Sequence, residues 1–160
     1  MIKIYLNLLI LILSTACLIT TLEIYKTFKN YSFLYLKSNK NHNEFFELLQ
    51  VHIKQKNWLA CILEIEEKIK QEENLQIEYY NIIGYCYYSI NIYNLADYYY
   101  QKALHKESNN IITLLSLGKI YTITKKYQQA YSTYHRINMI KPSNRAQKKL
   151  KTLKKYLESG

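Results

Sequence analysis

The residues able to do chemistry are few and dispersed. His42, His52, His105 and His135 have no metal-ligand spacing to one another or to a cysteine, and no carboxylate pair is framed by them. Cys17, Cys61 and Cys86 are odd in number and lack the short spacings of a zinc site or a disulfide framework, so reduced thiols are expected. Three glycines are too few for a phosphate-binding loop. Glu64, Glu66, Glu67, Glu72 and Glu73 interleave with Lys68 and Lys70, the pattern of a solvated helix face with i,i+4 pairing. The expectation is a protein that is not an enzyme, with no catalytic residue, metal, cofactor or small-molecule substrate.

The net charge of +10 rests on 22 basic against 12 acidic residues, and every base except Arg136 and Arg145 is lysine. Lysine, isoleucine, asparagine and tyrosine are the residues that AT-rich codons supply, which offers one explanation for the 18 tyrosines and for part of the charge, beside a selected role for the tyrosines. No nucleic-acid motif accompanies the lysines, and scarce arginine argues against phosphate recognition. Nucleic acid is therefore not an expected partner.

What must position any functional surface is a set of helices. A hydrophobic content of 49%, with one proline and three glycines, predicts an all-α chain of long helices with almost no sheet. Between Ile77 and Asn144 one pattern is written twice at a spacing of 34 residues. Ile83-Gly84 recurs as Leu117-Gly118, Tyr87 as Tyr121, Tyr93 as Tyr127, Ala96 as Ala130 and Tyr100 as Tyr134, and Pro142 closes the second copy where Ser108 closes the first. Tyr80, Ile83, Gly84 and Tyr87 share one helix face; Ala96, Tyr100 and Ala103 mark the inner face of a second helix, after a turn at 91–94. A helical glycine costs about 1 kcal/mol, and close approach of the paired helices at Ala96 and Ala130 would justify Gly84 and Gly118. This pattern resembles the tetratricopeptide repeat, a helix-turn-helix unit of a solenoid. Residues 42–76 read as a degenerate first copy, with Leu49 for the glycine, His52 and Ile65 for the tyrosines, Cys61 for the alanine and one extra residue in the loop at 71–76.

The resemblance implies protein binding in a groove lined by the first helix of each unit. The corresponding stripe holds Asn43, Phe46, Gln50 and Ile53, then Glu78, Asn81, Tyr85 and Tyr88, then Ile112, Leu115, Lys119 and Thr122. The groove is expected to use Phe46, Gln50, Asn81, Tyr85, Tyr88, Leu115, Lys119 and Thr122. Repeat proteins that hold the acidic tail of a heat-shock chaperone place lysine and asparagine at set points of this stripe. Here Phe46, Gln50, Ile82, Ile112 and Ser116 stand at those points, which argues against a chaperone-tail clamp.

Residues 4–22 carry no charge and, at about 1.5 Å per residue, reach about 28 Å, close to the ~30 Å of a hydrocarbon core. Two readings fit. One is an uncleaved single-pass anchor within 1–25; Lys26, Lys29, Lys37 and Lys40 then keep the repeats on the cytoplasmic side or its organellar equivalent. The other is a cleaved secretion or lipoprotein signal ending at Ser14-Thr15-Ala16 before Cys17, as in a bacterial envelope or secretion-associated repeat lipoprotein. Ser14 stands where a lipobox has leucine, and the apolar run continues through Leu18, Ile19 and Leu22, which favours the anchor. Residues 26–41 read as a juxtamembrane linker or helix, whose Tyr31, Phe33, Leu34, Tyr35 and Leu36 suit either a headgroup interface or packing on the first repeat. The remaining organisation is repeats at 42–76, 77–110 and 111–144 and a basic capping helix at 145–160. In that helix Ala146, Leu150, Leu153 and Leu157 form an apolar stripe among Lys148, Lys149, Lys151 and Lys155.

Anchor, three repeats and a lysine-rich cap together resemble a small membrane-anchored family of red-algal plastids and cyanobacteria, the hypothetical chloroplast reading frame numbered thirty-seven. That resemblance implies an accessory factor for assembly or stability of photosystem I. It also implies a place in the chloroplast thylakoid membrane with the repeats in the stroma, and photosystem I subunits or assembly intermediates as partners.

Overall fold

The computed structural model describes the backbone of residues 2–38, 42–71 and 76–158, and their side chains except at 2, 27, 30–38 and 42. Within these residues there are eight helices and no strand: α1 (Ile2–Ser38), α2 (His42–Lys54), α3 (Trp58–Gln71), α4 (Ile77–Ser89), α5 (Tyr93–Lys106), α6 (Ile111–Ile123), α7 (Tyr127–Ile140) and α8 (Asn144–Glu158). The juxtamembrane side chains at 31–36 and the acidic Glu72 and Glu73 lie outside the described residues. The chain falls into two compact units, 1–54 and 55–160.

In the first unit α1 and α2 pack on each other. From Lys3 to Lys26, α1 is long and apolar enough to cross a membrane, with a mean hydropathy of 2.1 and nothing in that stretch buried. Its hydroxyl side chains are satisfied locally: Ser14 donates to the Leu11 carbonyl at 2.9 Å, Thr15 to Ile12 at 2.9 Å and Thr20 to Cys17 at 3.0 Å. Such back-bonding removes most of the cost of placing a hydroxyl in hydrocarbon. On α2, Phe45, Leu48, Leu49 and His52 are buried, and burial pushes the His52 imidazole below its ordinary pKa.

In the second unit, α4 with α5 and α6 with α7 form two helical hairpins, each stacked on its neighbour, and α8 packs on α7. Ile77 and Ile111 open their helices 34 residues apart, as do Tyr93 and Tyr127. The turns repeat as well. Lys56, Asn91 and Lys125 all adopt left-handed backbone, at φ 56°, 62° and 58°. The spacing from 56 to 91 is one residue longer than from 91 to 125, the insertion expected in the first copy. Two of the turns close identically. The Ile92 amide donates to the Tyr87 carbonyl at 2.9 Å and the Asn91 amide to Tyr88 at 3.1 Å; Lys126 donates to Tyr121 at 2.8 Å and Lys125 to Thr122 at 3.3 Å. These paired bonds are a Schellman motif, which satisfies the last carbonyls of α4 and α6. Asn110 starts α6 by accepting the Thr113 amide at 3.1 Å, and Ser143 starts α8 by accepting Ala146 at 3.2 Å.

The expected faces are buried: Tyr80, Ile83, Gly84 and Tyr87 on α4, and Ala96, Tyr100 and Ala103 on α5. A Cβ on Gly84 would stand 2.9 Å from the Tyr100 ring, and one on Gly118 would stand 2.9 Å from the Tyr134 ring. The nearest neighbours of both glycines are thus ring atoms of a tyrosine on the partner helix, for which a hydrogen in place of Cβ makes room.

Candidate partner-binding groove

The first helices of the repeats carry the surface, so their inward side chains fix how it is held. Tyr87 on α4 donates to Glu66 Oε1 on α3 at 2.7 Å, and Tyr121 on α6 donates to Asp97 Oδ1 on α5 at 2.9 Å while accepting from Gln101 at 2.8 Å. The same tyrosine of each repeat therefore reaches back to the second helix of the preceding one. Tyr99 adds a 3.3 Å bond to Glu66 and stacks on Tyr87 with centroids 5.6 Å apart. Burial, then the carboxylate, raises these phenols, with Tyr99 and Tyr121 pushed up to about 12 and Tyr87 higher still. Glu66 is consequently not the solvated helix-face residue expected from its charged surroundings; it is a half-buried acceptor that locks α3 to α4. Cys61 and Cys86 are both fully buried and free, and the neighbouring Cys86 thiol together with burial pushes the Cys61 thiol up, so that it stays protonated.

On the opposite side of α4 and α6 the expected groove residues divide into three groups. Tyr88, Leu115, Lys119 and Thr122 line one half-open cavity of about 470 Å³. Tyr85 is 43% exposed beside it along α4, its ring edge-on to Trp58 with centroids 5.7 Å apart. Asn81 is engaged in the stack itself, accepting the hydroxyl of the fully buried Thr113 at 2.7 Å and so tying α4 to α6. Phe46, half-buried, and Gln50, exposed, stand on α2 in the first unit.

The cavity has a wall that the sequence pattern did not reveal. Tyr134 and Ile137 of α7 and Ala146 of α8 form its floor with Leu115, and Lys141, Arg145 and Lys149 close one side. Helix α8, expected as a cap, also supplies part of this cavity's lining. The one signal in the sequence is the i,i+4 spacing of Arg145 and Lys149 with Ala146 beside them, which puts two cations and a small buried residue on adjoining faces. Among the described residues no cluster of histidine, cysteine and carboxylate could hold a metal ion. What the arrangement offers is a concave, mostly apolar surface with a cationic rim, the kind of lining that binding pockets have.

Two helical hairpins in a 34-residue register, with a third left-handed turn at Lys56 and an added terminal helix, give this chain the tetratricopeptide-repeat fold. Solved structures agree. The chain superposes on the tetratricopeptide domain of Arabidopsis OM64 with a TM-score of 0.61 at 20% identity, covering 69% of this chain and 91% of that one. It superposes on MamA with a TM-score of 0.70 at 17% identity, covering 80% and 75%. At these identities the likeness is one of fold. No family model matches the chain. In sequence it resembles the uncharacterized protein ycf37 of Porphyra purpurea, 31% identical over 108 residues, and that of Guillardia theta, 43% identical over 58 residues. The matches span 62% of this chain and 62% of the first relative, and 36% and 33% for the second, so the chain covers less than two thirds of the length of either.

Proposed function

We propose that this protein is a membrane-anchored scaffold that holds a protein partner in the groove of its tetratricopeptide stack. The observation that carries the reading is the half-open apolar cavity on the α4–α6 face, in a chain that also bears a helix able to cross a membrane. Tetratricopeptide domains of the same fold include one solved with a bound HSP90 peptide, the first such domain of Spaghetti, at 15% identity and a TM-score of 0.60. The similarity to ycf37 supports a plastid setting, and within it a role as an accessory factor for photosystem I assembly or stability. In that reading α1 spans the thylakoid membrane once, and lysines after the apolar run keep the repeats in the stroma. No turnover chemistry is required: the anchor confines the groove to the membrane plane and raises its effective concentration toward membrane subunits.

The test is intact-mass analysis of the protein from native membranes together with protease access from each side, and then purification under mild detergent. A full-length chain digested only from the stromal side, co-purifying with photosystem I subunits, is expected. A chain beginning at Cys17 would place the repeats across the membrane and overturn the assignment. Association with other complexes but not with photosystem I would remove the photosystem role.

A further inference from the structure

The cavity beneath α8 is unusual in its charge. Lys119 on α6, Lys141 at the end of α7, and Arg145 and Lys149 one turn apart on α8 all line it, and no aspartate or glutamate does. All four are solvent-exposed, and none is ion-paired among the described residues. The imbalance extends through the sequence around them: from Ser108 to Leu157 there are eleven lysines and arginines and not one carboxylate. Codon composition explains many lysines, but not the convergence of cations from three helices on one apolar cavity.

The floor is different in kind. Leu115, Tyr134, Ile137 and Ala146 form an apolar bed, and the last three are buried. Burial raises the Tyr134 phenol above its ordinary pKa, and the nearby Thr122 hydroxyl and Arg145 charge partly offset that rise. A ligand that fits must bring an apolar group for the bed and negative charge for the rim. It must also be narrow enough to enter a cavity of about 470 Å³.

We infer that this end of the groove recognises an acidic peptide segment of a partner protein, carrying at least one bulky apolar side chain among its carboxylates. The inference rests on the groove being the binding surface proposed above and names what that surface selects. The apolar side chain enters between α6 and α7 over Leu115 and Ile137. Flanking carboxylates meet Lys119 on one side and Arg145 with Lys149 on the other. An arginine gives the bidentate, directional contact and the lysines give point charges. A flat anionic bilayer is the competing source of negative charge. It matches Lys148, Lys151 and Lys155, which do not line the cavity, better than it matches cations set around a concavity.

The experiment pans a library of short random peptides against the full-length protein in a neutral-lipid nanodisc. The same panning is run on Arg145→Glu/Lys149→Glu and on the control Lys148→Glu/Lys151→Glu. Circular dichroism establishes that each variant is folded. Peptides recovered on the parent and the control are expected to carry net negative charge with an aromatic or aliphatic residue. Their affinity is expected to fall about tenfold or more in the first variant, and replacing their Glu and Asp by Gln and Asn is expected to abolish the preference. Recovery of neutral or basic peptides, no enrichment at all, or acidic enrichment that survives Arg145→Glu/Lys149→Glu would overturn the inference. So would loss of binding to phosphatidylglycerol vesicles in that variant with peptide binding unchanged, which would assign the cations to lipid. Should the photosystem association fail while acidic peptides bind, the scaffold's partner is wrong and the groove's selectivity stands. The reverse pair of results places the photosystem contact on another surface.

Discussion

Replacing Gly84 or Gly118 by alanine sets two effects of comparable size against each other. Alanine in a helix interior gains about 1 kcal/mol over glycine. The added Cβ, however, would lie 2.9 Å from the Tyr100 ring, or from the Tyr134 ring at the second site, where carbon contacts are optimal at about 3.5–4.0 Å. Each ring must therefore retreat by about 0.6 Å or more, and neither can retreat easily, because Tyr100 and Tyr134 are only 3% and 4% exposed. Overpacking of that kind costs about 1–3 kcal/mol, so the net effect is a loss of about 1 kcal/mol. Thermal melting of the full chain in detergent is expected to shift down by about 2–4 °C for each variant. The decisive control is the same glycine replacement in a Tyr100→Leu background, where the clash is gone and alanine is expected to stabilise. A Gly84→Ala variant that is more stable than the parent, with the same gain in the Tyr100→Leu background, would refute the ring-over-glycine packing.

The backbone turns and buried phenols set further outcomes. Lys125 sits at φ 58°, where a side chain costs about 1–2 kcal/mol and glycine nothing; Lys125→Gly is expected to raise the urea midpoint without changing the transition slope. Asn91 is a poorer site for this test, because its side chain accepts the Tyr93 hydroxyl at 2.8 Å. Tyr99, Tyr100 and Tyr121 are pushed up to about 12 in the folded chain, so above about pH 10 the unfolded chain has lost phenolic protons that the folded one retains. Stability is then expected to fall with rising pH across that window, tracked by helical ellipticity against tyrosinate absorbance; parallel titration of all tyrosines before unfolding would contradict the burial. Replacing Tyr85 and Lys119 together is expected to weaken partner capture with little change in helical signal, since both are exposed, and a large loss of ellipticity would show them to be structural.

How much the sequence disclosed can be traced residue by residue. The hairpins were legible because their buried faces use large or small residues that recur at 34, and a repeated register survives any uncertainty about single helix ends. The extra residue read in the irregular first copy agrees with the longer step from Lys56 to Asn91 than from Asn91 to Lys125, although most of the loop at 71–76 lies outside the described residues. Contacts between second and first helices were not legible. Glu66 looks like its solvated neighbours in a charged run, and only the fold brings Tyr87, 21 residues away, to its carboxylate. Likewise Tyr100 under Gly84 depends on how two helices cross, which spacing does not specify. Of the expected stripe, Tyr88, Leu115, Lys119 and Thr122 line the cavity; its α8 wall was not legible because α8 reads as a terminal cap, and its cations gain a shared cavity only when α8 lies against α7.

The measurement closest to the central proposal is site-specific photocrosslinking in native membranes. A photoreactive phenylalanine analogue at Leu115, in the cavity, is compared with one at Tyr98, an exposed position on α5 that does not line it. The Leu115 probe is expected to crosslink to a photosystem I subunit and the Tyr98 probe is not. Crosslinks to that subunit from Tyr98 with none from Leu115 would place the binding surface elsewhere on the stack and contradict the groove as the site of capture.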